Sequence, residues 1–396
     1  MHIKIKNISG NSGIVIGIDA SRNRSGGAIA YLIGILSEFE PQKFCIREVH
    51  VWSYKKLLDL IPNKPWLIKH NSNKVDRSLP MQLLWQATKL AHEVTLVGCD
   101  ILYTTDASTF CRFRPMVVFS QDMLSYEPNV MRTLGWGKAR LRVLSILYLQ
   151  NMAFRRADGV IFLTQHTGKL IQESCGILPR VAFIPHGVGS DFRTINPIHP
   201  WPRKGERVIQ CLYVSPIWEF KNQWVVVRGI KMLRNRGYNI NLTLVGSGSG
   251  KALRKLKRQI SFSDPRNEFI KLKGNIPHGE IPKYLANADL FVFASSCENM
   301  PITLLEAMAV GLPIASSDRG PMPEILKNGG IYFNPDDYKS IAKSIEKIIT
   351  EPSLRLSIMK RAKNLANYYL WSRCAQDTWT YIMETYFYVN NMGGKK

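Results

Sequence analysis

Short apolar runs alternate with longer amphipathic stretches along this chain, and the alternation runs through two successive series. "GIVIGI" (13–18) has the continuous apolar character of a buried strand, "DASRNRSGG" that of a polar loop, and "AIAYLIGILSEF" that of a helix. Strand, glycine-bearing loop and helix in that order open a nucleotide-binding α/β unit. Further strands are predicted near "EVTLVG" or "DILYTT", at "PMVVFS" (115–120) and at "GVIFLT" (159–164), with a long helix from about 136 to 157. After "VAFIPHGVGSDF" (181–192) comes "INPIHPWPRKGER" (195–207), whose three prolines and few large apolar residues predict an interdomain linker. The second series follows: strand 208–215, helix 221–236, strand 240–246, the turn "GSGSG" with a helix, strand "FIKLKG", helix 278–287 and strand 289–295. "PIAS", helix 321–327, "IYFN" and helices over 337–349 and 352–370 complete it. Strands of four to eight apolar residues between helices predict parallel sheets covered on both faces. A length of 396 residues exceeds most single cores. The predicted fold class is therefore α/β, two doubly wound Rossmann-like domains facing across a cleft.

The segment "CENMPITLLEAMAVGLP" (297–313) carries two glutamates eight positions apart around a proline. Proline suits a first helical turn, where its missing N–H has no partner to lose, so a helix is predicted to start near 300–301. Its free N–H groups and positive dipole end then face the carboxyl edge of the sheet, where open α/β folds bind ligands. Glu298 falls in the preceding loop and Glu306 in the second turn. Two readings follow from the spacing. Either both carboxylates complement the dipole, with "TLLE" (303–306) as a capping box, or they clamp a ligand held at the helix end. Lys221, just after strand 208–215, is either a solvated surface lysine or a cation at that ligand. Gly26 and Gly27 form either an ordinary strand–helix turn or a place where bare backbone approaches a ligand.

Charge narrows the choice of ligand. Lys and Arg number 53 against 30 Asp and Glu, a net charge of +23. Residues 1–198 hold 24 basic and 14 acidic side chains and residues 199–396 hold 29 and 16, so the excess is spread rather than carried by a tail. A spread positive field suits an anionic ligand, an anionic membrane surface, or both. Nucleic acid is not an expected partner, since no recognition motif accompanies the "KALRKLKR" run (251–258). "GKARLRVLSILYLQNMAFRRA" (137–157) mixes basic ends with an apolar face, as either an interfacial helix or a core helix with snorkelling basic residues would. Seven scattered cysteines without a C-x-x-C pair fit free thiols in a reducing compartment. "MHIKIKNISGNSG" has no apolar stretch of signal-peptide length, and no run is long enough to span a bilayer. A cytoplasmic protein, peripheral on the inner face of a plasma membrane at most, is expected.

"FASSCENMPITLLEAMAVGLPIASSDRGPMPEIL" resembles the E-x(7)-E segment of the family 4 retaining glycosyltransferases (glycosyl transferases group 1), of the bacterial surface-polysaccharide type, which have the GT-B double-Rossmann fold. Five further segments resemble the family in the same order: "ASRNRSGGAIAYLIGIL", "FIPHGVGSDF", "YVSPIWEFKNQ", "LTLVGSGSG" and "IPHGEIPKYLANADLFVFAS". "LWSRCAQDTW" resembles the terminal helix that crosses back onto the first domain. The resemblance implies an N-terminal acceptor-binding domain over 1–198, joined by helix 371–390, and a donor-binding domain over 199–370. It implies that Glu298 lies by the donor-sugar hydroxyls and reaction centre, and that Glu306 binds the ribose hydroxyls. The backbone N–H groups of Ile302, Thr303 and Leu304 would receive the diphosphate. Lys221 would neutralise the departing nucleoside diphosphate, beside Ser215 of the phosphate loop and with Gly26 and Gly27 near the phosphate or sugar.

The implied activity is transfer of a hexosyl unit from a nucleotide-diphosphate sugar to a saccharide or lipid-linked saccharide acceptor, with retention of configuration, in cell-surface polysaccharide (for example lipopolysaccharide) biosynthesis. Front-face displacement is implied, the leaving phosphate taking the acceptor proton. No cofactor is implied, and no metal, since no D-x-D signature lies in a suitable loop. The chain departs from the family at three places. Ser215-Pro216 stands where many members carry Gly-Arg, with Arg24 or Arg228 as candidate replacements. Gln121-Asp122 stands for His-Asp, leaving Gln121 and Asp122 as candidate sugar contacts, and Pro301 replaces glycine. These departures keep an alternative open, a degenerate, non-catalytic sugar-nucleotide-binding subunit.

Overall fold

The computed structural model describes residues 13–24, 26–72, 75–76, 78–127, 137–203 and 205–393. The N-terminal stretch 1–12 and the start of the predicted helix at 136 lie outside them. The chain divides into two compact units: residues up to Leu163, Gly168–Pro185 and the segment from Trp371 onward form the first, and Thr164–Thr167 with His186–Leu370 form the second.

The first unit holds strands β1 (Ile14–Asp19), β2 (Ile46–Ser53), β3 (Leu67–Asn71), β4 (Ile101–Thr104), β5 (Met116–Phe119), β6 (Gly159–Phe162) and β7 (Val181–Phe183). They form one sheet in the order β3-β2-β1-β4-β5-β6-β7, every pair parallel. β1 is buried along its whole length, as its unbroken apolar run requires. Of the two candidate placements for the next central strand, "DILYTT" is the strand. "EVTLVG" instead ends a helix at Ala91–Leu96, which Gly98 stops with a left-handed φ of 71°. β2 and β3 were not predicted, because Glu48, His50, Lys69 and His70 interrupt their apolar pattern.

The last helix, Trp371–Gly393, packs into this first unit. A side chain at Gly34 would lie 2.4 Å from the Trp371 ring, so the glycine permits the close approach. The Trp379 indole donates to the Ile35 carbonyl (3.1 Å) and stacks on Phe39 (4.0 Å between ring centres).

The second unit holds β8 (Ile209–Val214), β9 (Ile240–Val245), β10 (Ile270–Leu272), β11 (Leu290–Phe293), β12 (Ile314–Ser317) and β13 (Ile331–Phe333). They form one parallel sheet in the order β10-β9-β8-β11-β12-β13. The order reverses between β8 and β11, and the two loops that leave their C-terminal ends are the ones that matter below.

The boundary at 198/199 is corrected. Residues 186–198 pack with the second unit: Val188 bridges to Leu370, and the Ile198 N–H donates to the Ala286 carbonyl (2.8 Å). The proline-rich stretch expected to be a free linker is fastened there too, with the Arg355 guanidinium over the Trp201 ring at 4.0 Å. A low apolar count misled the prediction, because one tryptophan and a few backbone hydrogen bonds suffice to hold the segment.

Candidate functional site

In the second unit, β8 runs into a loop, a 3₁₀ turn Glu219–Lys221 and the helix Gln223–Asn235. β11 runs into a loop and the helix Ile302–Val310. Backbone-directed hydrogen bonds tie these two neighbouring loops together. The Ser296 N–H donates to the Phe220 carbonyl (2.8 Å), and the Asn222 amide to the Ala294 carbonyl (3.1 Å). The Tyr213 hydroxyl, rising from the sheet, donates to the Lys221 carbonyl (2.6 Å). Asn222 takes a left-handed φ of 53°, a conformation asparagine tolerates better than most residues.

This scaffold fixes Lys221, whose side chain is buried and not the solvated surface lysine that its type alone suggests. Its ammonium pairs with the Glu298 carboxylate and lies 5.8 Å from the centre of the Phe293 ring. The two residues singled out for chemistry therefore meet, 77 positions apart in sequence. Glu298 itself is held in a pinned loop. The adjoining Asn299 amide oxygen accepts from the Thr167 hydroxyl (3.0 Å), and the His186 N–H donates to the Met300 sulfur (3.2 Å). Burial drives the His186 pKa down to about 3, so this imidazole is neutral.

Glu306 bears on the capping-box reading of the glutamate pair. Pro301 is the N-cap, and no side chain caps the helix. The capping-box reading of "TLLE" is therefore overturned: Thr303 is already inside the helix, and Glu306 is turned away from the helix end. Its carboxylate is buried, with Oε1 2.7 Å from His278 Nε2. Oε2 has no hydrogen-bond partner among the described residues. Leaving one oxygen of a buried carboxylate unpaired is costly in a finished core and expected where a ligand supplies the donor. The hydrogen bond to Glu306 raises the His278 pKa, favouring an imidazolium that donates to the carboxylate. The sequence around His278 does not signal a role for it. Its proximity to Glu306 spans 28 residues and no local spacing signals it.

Of the three amides expected to face an anion, Leu304 is engaged: its N–H donates to the Pro301 carbonyl (3.1 Å). Ile302 and Thr303 have no backbone acceptor among the described residues, and they open the helix where its dipole is positive. Ser215 is locked, its hydroxyl accepting from the Gln223 amide (2.9 Å) and donating to the Pro216 carbonyl (3.1 Å). Gly246 lies against it. A Cβ there would come within 1.9 Å of the Ser215 carbonyl oxygen, so the first glycine of "GSGSG" is a packing requirement. Of the candidate replacement arginines, Arg228 lies over the Tyr338 ring (4.1 Å) and Arg24 donates to the Val75 carbonyl (2.7 Å) in the first unit.

Gly26, Gly27, Gln121 and Asp122 belong to the first unit. Gly26 and Gly27 begin the helix Gly26–Ser37, and a Cβ at Gly26 would meet nothing within 4 Å, so this backbone is open. The Gln121 side-chain oxygen is buried without a partner among the described residues. Asp122 accepts from the Leu124 N–H (2.9 Å), and burial raises its pKa. All seven cysteines are free, six buried and Cys45 exposed. Among the described residues no cluster of His, Cys, Asp or Glu could hold a metal ion, and no helix is long and apolar enough to cross a membrane.

Residues 197–365 match the glycosyl transferases group 1 family. The chain is 33% identical over 126 residues to the amylovoran biosynthesis glycosyltransferase AmsK of Erwinia amylovora, covering 30% of each chain. It is 28% identical over 230 residues to a GDP-mannose-dependent alpha-(1-6)-phosphatidylinositol monomannoside mannosyltransferase of Mycolicibacterium smegmatis, covering 52% of this chain and 58% of that one. These matches thus span from under a third to somewhat over half of the relatives' length. In structure the chain is similar to Anabaena HepE, solved with UDP and glucose, with a TM-score of 0.68 at 19% identity over 92% of this chain and 97% of that one. A sucrose-phosphate synthase from Thermosynechococcus elongatus gives a TM-score of 0.72 at 15% identity over the same shares. The fold is GT-B, two Rossmann-like parallel-sheet units.

Proposed function

Because residues 197–365 of this chain match the glycosyl transferases group 1 family, we propose that the second unit binds a nucleotide-diphosphate sugar. The protein transfers its hexosyl group, with retention, to a saccharide or lipid-linked saccharide acceptor in bacterial cell-surface polysaccharide synthesis. One observation carries the reading: a buried cation–carboxylate pair, Lys221–Glu298, and a buried carboxylate with one free oxygen, Glu306, belong to the two loops that leave β8 and β11 and to the helix that follows. Between the two carboxylates in sequence lie the free amides of Ile302 and Thr303.

Each group has one task. The two amides and the dipole take the diphosphate. Glu306, oriented by His278, accepts hydroxyl hydrogens of the ribose through Oε2. Lys221 shares its charge between Glu298 and the phosphate oxygen that leaves with the nucleoside diphosphate, a stabilisation that grows as the bond breaks. Glu298 accepts from donor-sugar hydroxyls near the anomeric carbon. The acceptor oxygen bonds to that carbon on the face the phosphate leaves, the carbon–oxygen bond to phosphate breaks, and the leaving phosphate oxygen takes the acceptor proton. No metal takes part. Arg228, stacked on Tyr338, contributes nothing in this scheme, which leaves Lys221 as the cation of the phosphate site.

The acceptor side rests on the first unit. Its helix Lys138–Arg156 exposes Leu141, Leu144 and Tyr148 beside Lys138, Arg142, Arg155 and Arg156. Apolar side chains set among basic ones suit an anionic lipid surface presenting the acceptor, which makes the protein peripheral on a cytoplasmic membrane face. Thermal denaturation against a panel of nucleotide sugars tests the donor proposal. A donor at a hundred times its Kd stabilises the fold by about 2.7 kcal/mol. If no nucleotide sugar or nucleoside diphosphate raises the melting temperature, the donor site is wrong. If a donor binds but no acceptor is glycosylated, the protein is a sugar-nucleotide-binding subunit.

A further inference from the structure

The second unit carries a concavity that the donor site does not use. Register across the sheet pairs Leu212 with Thr243 and Thr243 with Lys271. Strand side chains alternate, so Gln210 and Lys273, two positions away from Leu212 and Lys271, are directed to the same face. Over that face runs the short helix Ile281–Ala286, which adds Lys283 and Tyr284. Sheet and helix line an open concavity of about 670 Å³ with an apolar floor that includes Leu212 and Ala288. A doubly wound sheet is ordinarily covered here by a full helix. Six residues are too few to fill the space.

The charge of the lining is one-sided. Lys271, Lys273 and Lys283 enter no ion pair among the described residues, and no carboxylate lines the cavity. Asp289, next to the lining residue Ala288, is already neutralised by two hydrogen bonds from the Arg207 guanidinium. Edge-strand lysines commonly serve to discourage sheet extension, and Lys271 on β10, with Lys273 just past its end, would do so. That role does not account for Lys283, which comes from another element and opens onto the same space. Like charges gathered round a low-dielectric concavity focus an attractive field for anions. Gln210, Thr243, Tyr284 and Asn287 add amide and hydroxyl groups suited to a polyhydroxylated ligand.

We propose that this cavity is a second ligand site, for an anionic saccharide, a sugar carrying a phosphate or carboxylate group. The three lysines hold the anionic group and the amide and hydroxyl side chains hold sugar hydroxyls. All its lining residues belong to the second unit, and it requires neither Glu298 nor Glu306, so it stands apart from the donor proposal.

The test is calorimetric titration of the full chain at low ionic strength, with and without saturating UDP. The probes are glucose 6-phosphate, glucuronic acid, inorganic phosphate and glucose. Saturable binding of glucose 6-phosphate or glucuronic acid is expected, with glucose silent. The triple substitution Lys271→Gln, Lys273→Gln, Lys283→Gln should weaken binding at least tenfold, and Lys→Arg at the same three positions should retain it. All three side chains are exposed, so the fold does not depend on them. Phosphate binding as tightly as the charged sugars would show an unspecific anion site and overturn the saccharide assignment. So would absence of saturable binding, displacement by UDP, or equal affinity in the Gln variant.

Discussion

Asp19 and Glu306 are both carboxylates buried in a parallel-sheet unit, and they end in opposite states. Asp19 closes β1 in the first unit. Its Oδ1 accepts from the Ser21 N–H (3.1 Å) and hydroxyl (2.6 Å), and its Oδ2 from the Gln86 amide (2.8 Å). Burial nevertheless raises its pKa. Every lone-pair direction that matters is answered from within, so the group is scaffold. Glu306 has one oxygen on His278 and the other without a partner among the described residues. The same fold thus pairs both oxygens of a buried carboxylate in one unit and only one of them in the other. The unpaired oxygen, not the presence of a buried acid, is what the proposed role of Glu306 rests on. The ion pair Lys221–Glu298 belongs with Glu306, since an ammonium with three donors and a single carboxylate partner has capacity for a phosphate.

The largest effect expected from breaking this contrast is at Lys221. Losing a preorganised charge at a leaving group costs about 2.7–4 kcal/mol, roughly a hundred- to a thousandfold in rate. Lys221→Ala should lower sugar transfer by that factor. Since the side chain is buried against Glu298, it should also destabilise the fold, removal of one partner of a buried pair costing about 3–5 kcal/mol. Lys221→Ala with Glu298→Gln removes the stranded charge. It should recover much of the melting temperature and none of the transfer. Wild-type transfer by Lys221→Ala would place the phosphate elsewhere.

A smaller effect separates the two carboxylates directly. Glu306→Ala should weaken nucleoside diphosphate binding by about 1–3 kcal/mol, as hydroxyl donors lose a buried acceptor, read by calorimetry. Glu298→Ala should lower turnover more than that affinity. Asp19→Asn should lower the melting temperature and leave nucleoside diphosphate affinity unchanged. If Asp19→Asn alters binding as much as Glu306→Ala does, the contrast between scaffold and site collapses.

The His278–Glu306 bond gives a pH signature. A histidine whose pKa is raised in the folded state stabilises fully below its unfolded value, near 6.5, and the contribution disappears as pH rises through the raised folded pKa. His186 has the opposite sign: kept neutral by burial to about pH 3, it costs stability as pH falls below 6.5. Melting temperatures of wild type and His278→Gln should therefore differ most at pH 6 and converge above neutrality. His278 is exposed, so the difference is modest. A constant offset across that range would show that Glu306 does not hold the imidazolium.

The smallest expected effect concerns the first unit's exposed helix. Sedimentation with phosphatidylglycerol vesicles should be strong at low salt and fade as screening rises. Neutralising Arg142, Arg155 and Arg156 together should weaken it. Binding to neutral vesicles alone, or stronger binding to DNA of matched charge, would remove the membrane from the account of the helix.

How much of this was legible in the sequence depends on the range of the interaction that fixes each feature. β1, β5, β6 and β11 announced themselves through continuous apolar runs, because a strand buried on both faces must be apolar throughout, while β9 and β10 carry polar residues within theirs. The helix start at Ile302 is likewise local. β2 and β3 were missed because His50 and His70 hydrogen-bond to each other (2.8 Å), a pairing across strands that lets polar residues sit where apolar ones are expected. The unit boundary at Pro185/His186, the burial of Lys221, its meeting with Glu298 and the pairing of Glu306 with His278 were decided only in three dimensions. Each joins residues tens of positions apart, and the free energy that fixes it comes from desolvation and contact, which no local pattern of residues records.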